Sequence, residues 1–171
     1  MANHLHDALF GRHEGRAADF LILPDGSRLS HAAFGALAAR YAGALVAAGL
    51  SPGDRVAMQL EKSPDMLAAI AGAIRAGVVF LPLNTAYTAS EVLYFVDNSG
   101  AALVVCDAGA LSELEPIAHG HGARLETLNA DGSGSLMRRA LGMLPAFEPV
   151  RRTPEYLAAF LYTSGTTGRS K

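Results

Sequence analysis

The sequence predicts an α/β fold, a largely parallel sheet flanked by helices and opened by a β-hairpin. Three observations carry that expectation. Short apolar or β-branched runs alternate with longer stretches of helical periodicity, the order that builds βαβ units. Pro24-Asp25-Gly26 stands between two apolar runs, where Pro followed by Asp-Gly marks a tight turn between strands. The runs assigned to strands are apolar on successive residues, as strands covered on both faces must be.

The hairpin pairs residues 20–23 with residues 28–30. Ser30 then precedes Phe34, Leu37, Tyr41, Leu45 and Ala48 at steps of three or four, so Ser30 is the N-cap of a helix that Gly49 ends. Residues 54–60 form a strand. Ser63-Pro64-Asp65 supplies a cap, a proline at the first helical position and an acid in the first turn, and starts a helix that runs to Ala76. Gly77 stops it, and residues 78–81 form a buried strand ahead of Pro82. Residues 66–83 approach the length of a membrane span with one charge, Arg75, but resolve into this soluble helix and strand. Thr88 and Glu91 match a capping box and begin a helix ending by Gly100. A strand at 103–106, a helix at 111–119, a strand at 124–128, a turn at 129–134 and a short helix at 136–141 follow. Residues 144–155, with Pro145, Pro149 and Pro154, read as an irregular surface connection, and residues 157–162 as the last strand.

Composition narrows the functional classes. The 171 residues suit one hydrophobic core. Fourteen Lys and Arg against 16 Asp and Glu leave a net charge of −2, so no basic field is available for nucleic acid or an anionic membrane. Half of the residues are hydrophobic and 18% are charged, which excludes intrinsic disorder. Much of the apolar share is alanine, so the helices are expected to pack closely through small side chains. The first fifteen residues hold no apolar run of signal-peptide length, and the single cysteine, Cys106, cannot form an intrachain disulfide; the expected location is the cytoplasm.

The chemistry is concentrated in Thr163-Ser164-Gly165-Thr166-Thr167-Gly168-Arg169-Ser170-Lys171. Glycines let backbone N–H groups approach phosphate oxygens, hydroxyls donate to them, and lysine adds a point charge. The spacing is not that of a Walker A loop, because Gly165 and Gly168 are separated by two residues and Arg169-Ser170 precede Lys171. A Ser/Thr/Gly-rich tail is the plain alternative, and the order of the residues decides against it. YTSGTTGRSK resembles the phosphate-loop motif of the adenylate-forming enzymes, which include acyl-CoA synthetases, peptide-synthetase adenylation domains and luciferases. PGDRVAMQLEKSPDMLAAIAGAIRAG, FLPLNTAYTASEVLYFVDNSGAALVVCD and YLAAFLYTSGTTGRSK are similar in order and spacing to the N-terminal third of malonyl-CoA synthetases.

That resemblance implies the N-terminal part of the adenylate-forming enzyme fold, with residues 1–171 as the first segment of the large ATP-binding domain and the C-terminal catalytic domain absent. It implies that Thr163, Ser164, Gly165, Thr166, Thr167, Gly168 and Lys171 hold the β and γ phosphates of ATP. The implied reaction is that of an AMP-forming acid–CoA ligase in fatty acid metabolism, using ATP, Mg2+ and coenzyme A, with malonate or a similar small carboxylic acid as substrate. The family often has proline where Ser170 stands. The family's catalytic, adenine-binding and acid-binding residues follow the loop, so no catalytic residue is expected within this stretch, which is expected to be inactive without the remainder of the parent chain. A non-catalytic α/β module that binds nucleotide or another polypeptide is the alternative.

Other candidates yield less. The His4/His6 and His119/His121 pairs have strand-ligand spacing but no accompanying acid or cysteine set, so they are expected to be exposed loop histidines, and no metal site is expected. Cys106 ends an apolar run and is expected to be a small buried hydrophobe. No G-x-S-x-G elbow supports a serine hydrolase. Tyr87 lies in a strand-to-helix connection, where packing is the expectation, and Glu61-Lys62 is expected to be solvated.

Overall fold

The computed structural model describes residues 3–162. After a short helix α1 (His4–Leu9) and a 3-10 turn, β1 (Asp19–Ile22) and β2 (Arg28–Ser30) form the expected antiparallel hairpin. Then come α2 (His31–Ala47), β3 (Arg55–Gln59), α3 (Pro64–Ala76), β4 (Val79–Leu83), α4 (Ala89–Ser99), β5 (Leu103–Cys106), α5 (Leu111–Gly120), β6 (Arg124–Thr127) and α6 (Ser135–Leu141). Strands β3 to β6 make one parallel sheet in the order β4-β3-β5-β6.

Local chemistry sets most of these boundaries. Ser30 Oγ accepts from the Ala33 N–H and Ser63 Oγ from the Met66 N–H, each satisfying one of the unpaired donors at a helix start. Gly77 ends α3 at φ 68°, a conformation that costs a side-chain-bearing residue energy and glycine almost none. Thr88 and Glu91 form the complete capping box of α4.

The chain runs β3–α3–β4 in one direction, then crosses back over β3 through α4 to β5 and continues through α5 to β6. Reversing direction with right-handed crossovers moves the helices to the other face. Accordingly α2, α3 and α6 pack with Val56, Met58, Leu103 and Val105 on one side, and α4 and α5 with Ala57, Leu81, Val104 and Cys106 on the other. The alternation along β3 and β5 is the two-residue period of a strand buried on both faces. Helices α2 and α3 meet through Ala38, Tyr41, Ala42 and Gly72, and a Cβ placed on Gly72 would lie 2.8 Å from the Ala42 nitrogen. The expected close packing through small residues is therefore present.

Four expectations need correction. The strand predicted to stop before Pro82 continues to Leu83. Phe80 turns its N–H and carbonyl away from β3 toward residues 158–160, and Pro82, two residues on, faces the same way, so its missing N–H costs no bond to β3. The same proline explains why residues 157–162 make a single bridge to β4, Phe80 with Ala159, rather than a strand. Phe80 N–H donates to Ala158 O and Phe160 N–H to Phe80 O, and the next donor along that edge would be the proline nitrogen. No helix was expected near the amino end, yet α1 forms because Asn3 caps it through the His6 N–H and donates its carboxamide to Ile74 O at 2.8 Å and Val150 O at 3.0 Å. For the same reason His6 is not an exposed loop histidine. It is 3% exposed, with Glu14 Oε1 3.4 Å from its Nε2.

Candidate nucleotide site at the carboxyl end of the sheet

In an open parallel sheet, ligands gather outside the carboxyl ends of the strands, where the order reverses direction. Here that end carries the β3–α3 connection with Glu61 and Lys62, the β4–α4 connection with Asn84 to Thr88, Asp107 after β5, and the 129–134 turn after β6. Residues 157–162 run parallel to β4, so Tyr162 lies at this same end. The expected phosphate-binding residues Thr163, Ser164, Gly165, Thr166, Thr167, Gly168 and Lys171 lie outside the described residues.

The polar groups described around this end hold backbone. Gln59, the last residue of β3, is 7% exposed and donates from Nε2 to Asn84 O at 3.1 Å and Tyr87 O at 3.0 Å. Both amide hydrogens of a buried group are thereby paired. Asn84 Oδ1 accepts from the Ala86 N–H, and Asn129 Oδ1 from the Ala108 N–H. The wholly buried Tyr41 donates from its hydroxyl to Asp65 Oδ1 at 2.9 Å, and burial beside that carboxylate pushes the phenol well above its ordinary pKa. Burial, with Asp107 next, pushes the Cys106 thiol up to about 11, so it is a packed side chain and not a nucleophile. Glu61 and Lys62 are exposed.

An aromatic group completes the arrangement. Tyr87 sits 5.0 Å from Phe95, and Phe95 4.6 Å from Tyr162, whose hydroxyl donates to Asn98 Oδ1 at 2.6 Å. Burial, with Tyr94 next, raises the Tyr162 pKa. The expectation that Tyr87 packs is met. Gln59 and Asn98 were not singled out in the sequence; a polar residue closing the apolar run Val56-Ala57-Met58 was the available signal for Gln59, and nothing local marks Asn98. His121 lies 3.3 Å from Asp97, and among the described residues no group of three or more His, Cys, Asp or Glu could hold a metal. No helix among them is long and apolar enough to cross a membrane. This end can position a segment leaving Tyr162, and no described side chain there is placed to do covalent chemistry.

A parallel sheet with helices on both faces, a leading hairpin and a chain leaving beside β4 defines the N-terminal part of the adenylate-forming enzyme fold. Crystal structures agree: ATP-bound MatB from Rhodopseudomonas palustris superimposes with a TM-score of 0.95 at 44% identity over 100% of this chain and 34% of its own. The AMP-binding enzyme family model matches residues 10–171, and the chain belongs to that family. The long-chain-fatty-acid–CoA ligase FadD13 of Mycobacterium tuberculosis is 33% identical over 84% of this chain and 29% of its own length. Surfactin synthase subunit 2 of Bacillus subtilis is 30% identical over 99% of this chain and 4% of its own. The chain thus spans about a third of the ligases it matches and far less of the peptide synthetases.

Proposed function

We propose that this chain is the N-terminal part of the ATP-binding domain of an AMP-forming acid–CoA ligase whose acid is malonate or a similarly small carboxylic acid. The observation that carries the reading is the likeness, along the whole chain, to ATP-bound MatB at 44% identity. The resemblance of the PLNTAYT and EKSPDML stretches to malonyl-CoA synthetases supports the choice of acid. In this reading Thr163, Ser164, Gly165, Thr166, Thr167, Gly168 and Lys171 hold the β and γ phosphates of ATP. A carboxylate oxygen attacks the α phosphorus, the bond to the bridging oxygen breaks, and pyrophosphate leaves. The thiol sulfur of coenzyme A then attacks the acyl carbon of the adenylate, loses its proton, and AMP departs. Adenylyl transfer of this kind depends on positioning and on neutralising phosphate charge, which a loop of hydroxyls, backbone N–H groups and lysine supplies.

Mg2+ accompanies ATP in this reading, and no described side chain is assigned to it. The cytoplasm, where ATP and coenzyme A are available, is the location that fits. The groups that recognise the acid and complete catalysis belong to the remainder of the parent chain. Competition among malonate, methylmalonate, acetate and a long-chain fatty acid in a thioester-forming assay of the full-length protein tests the proposal. Preference for malonate or methylmalonate is expected. Preference for the fatty acid would overturn the choice of acid, and thioester formation without ATP would overturn the ligase reading.

A further inference from the structure

The contacts described for Tyr162 come from one helix. Its hydroxyl donates to Asn98 Oδ1 at 2.6 Å, and its ring lies 4.6 Å from Phe95 and 6.4 Å from Tyr94, all on α4. One peptide bond beyond Tyr162 is Thr163, the first residue of the expected phosphate loop. Helix α4 is itself tied to β3 at both ends. At its start Gln59 holds the carbonyls of Asn84 and Tyr87, just ahead of the Thr88 cap. At its finish Arg55 donates from Nε to Ser99 O at 2.8 Å and from a terminal nitrogen to Gly100 O at 2.7 Å. Arg55 and Gln59 are the first and last residues of β3, a strand with partners on both sides. The helix that carries Asn98 is therefore referenced to the interior of the sheet.

We propose that Asn98 is a positioning residue for the phosphate loop: through Tyr162 it fixes the point and direction from which Thr163 departs. The inference rests on the reading of residues 163–171 as the ATP phosphate loop. Phosphate binding is sensitive to displacements of a fraction of an ångström, so an anchor one residue upstream acts on ATP without touching it. The single bridge between residues 157–162 and β4 leaves this segment with little ladder support, which makes the side-chain anchor matter more. Asn98 is exposed, so its truncation removes no core side chain.

The test is made in the full-length protein with Asn98→Ala, Tyr162→Phe, the double variant and Asn98→Asp. Losing one hydrogen bond is expected to raise the KM for ATP about three- to tenfold in each single variant. The KM for the acid and the melting temperature should stay at wild-type values. The double variant should be no worse than either single one, because both remove the same bond. Asn98→Asp keeps the accepting oxygen and should restore the KM. An unchanged KM for ATP in Asn98→Ala overturns the proposal, as does a rise for ATP and acid together accompanied by a lower melting temperature. Wild-type protein that binds no ATP by calorimetry removes the loop reading and this role with it. That outcome is scored on wild type alone and so is distinguishable from a failure of Asn98.

Discussion

Replacing Gly72 with alanine should destabilise the protein, although alanine is the better helix former. Gly72 lies inside α3 where it crosses α2, and a Cβ there would sit 2.8 Å from the Ala42 nitrogen, 2.9 Å from the Ala38 oxygen and 2.9 Å from the Tyr41 Cβ. Two of these atoms are backbone, so no rotamer change relieves the clash. Ordinary contact needs ~3.5 Å, and a helix displacement of more than ~0.5 Å forfeits a quarter or more of each contact's dispersion energy along the crossing. Overpacking of this kind costs ~1 to 3 kcal/mol, while exchanging glycine for alanine in a helix returns ~0.5 to 1 kcal/mol. The difference, about 0 to 2.5 kcal/mol, centres on a loss of ~1.2 kcal/mol, a fall in Tm of about 2 to 5 °C for a chain of this size. Two other helical glycines provide the control. Gly35, in α2, has nothing within 4 Å of a built Cβ, and Gly35→Ala should raise Tm by about 1 to 4 °C. At Gly43 the three nearest atoms all belong to the flexible Met143 side chain, the first at 3.1 Å, and Gly43→Ala should fall between them. Thermal unfolding followed by circular dichroism measures all three. Gly72→Ala equal to wild type or more stable would refute the reasoning, and so would a destabilised Gly35→Ala.

In the full-length protein, Lys171→Ala should slow ATP–pyrophosphate exchange about ten- to a hundredfold, the value of one charge-assisted contact, and leave the KM for the acid unchanged. An unaltered kcat/KM for ATP would show that the loop does not meet the phosphates. The Cys106 thiol, pushed up to about 11, stays protonated in the folded chain where an unfolded cysteine ionises near ~8.5. Iodoacetamide at pH 9 should therefore label native protein at least about tenfold more slowly than protein in urea. The folded state holds that proton more tightly, so the associated stability is complete below the unfolded pKa and declines as pH rises toward 11. Equal labelling rates would contradict the burial of this side chain.

Features that adjacent residues settle among themselves are legible in the chain before it folds. Ser30, Ser63 and Thr88 cap their helices because a hydroxyl reaches an N–H three residues on, whatever the rest of the chain does. Pro24-Asp25-Gly26 turns the hairpin for a similarly local reason, and the order of hydroxyls, glycines and lysine at residues 163–171 already resembles a phosphate loop. Tertiary structure decided every feature in which the two partners are far apart in the chain. Pro82 stays within β4 because its nitrogen faces the outer edge, and residues 157–162 make one bridge because that edge then lacks a donor. His6 is buried because Asn3 ties the amino end to carbonyls 71 and 147 residues away. Gln59 and Asn98 gained roles only when folding brought Tyr87 and Tyr162 to them, 28 and 64 residues distant. Local hydrogen-bond chemistry is written in neighbouring letters, whereas the sheet's order, which sets these distant pairings, depends on which crossovers bury the most surface.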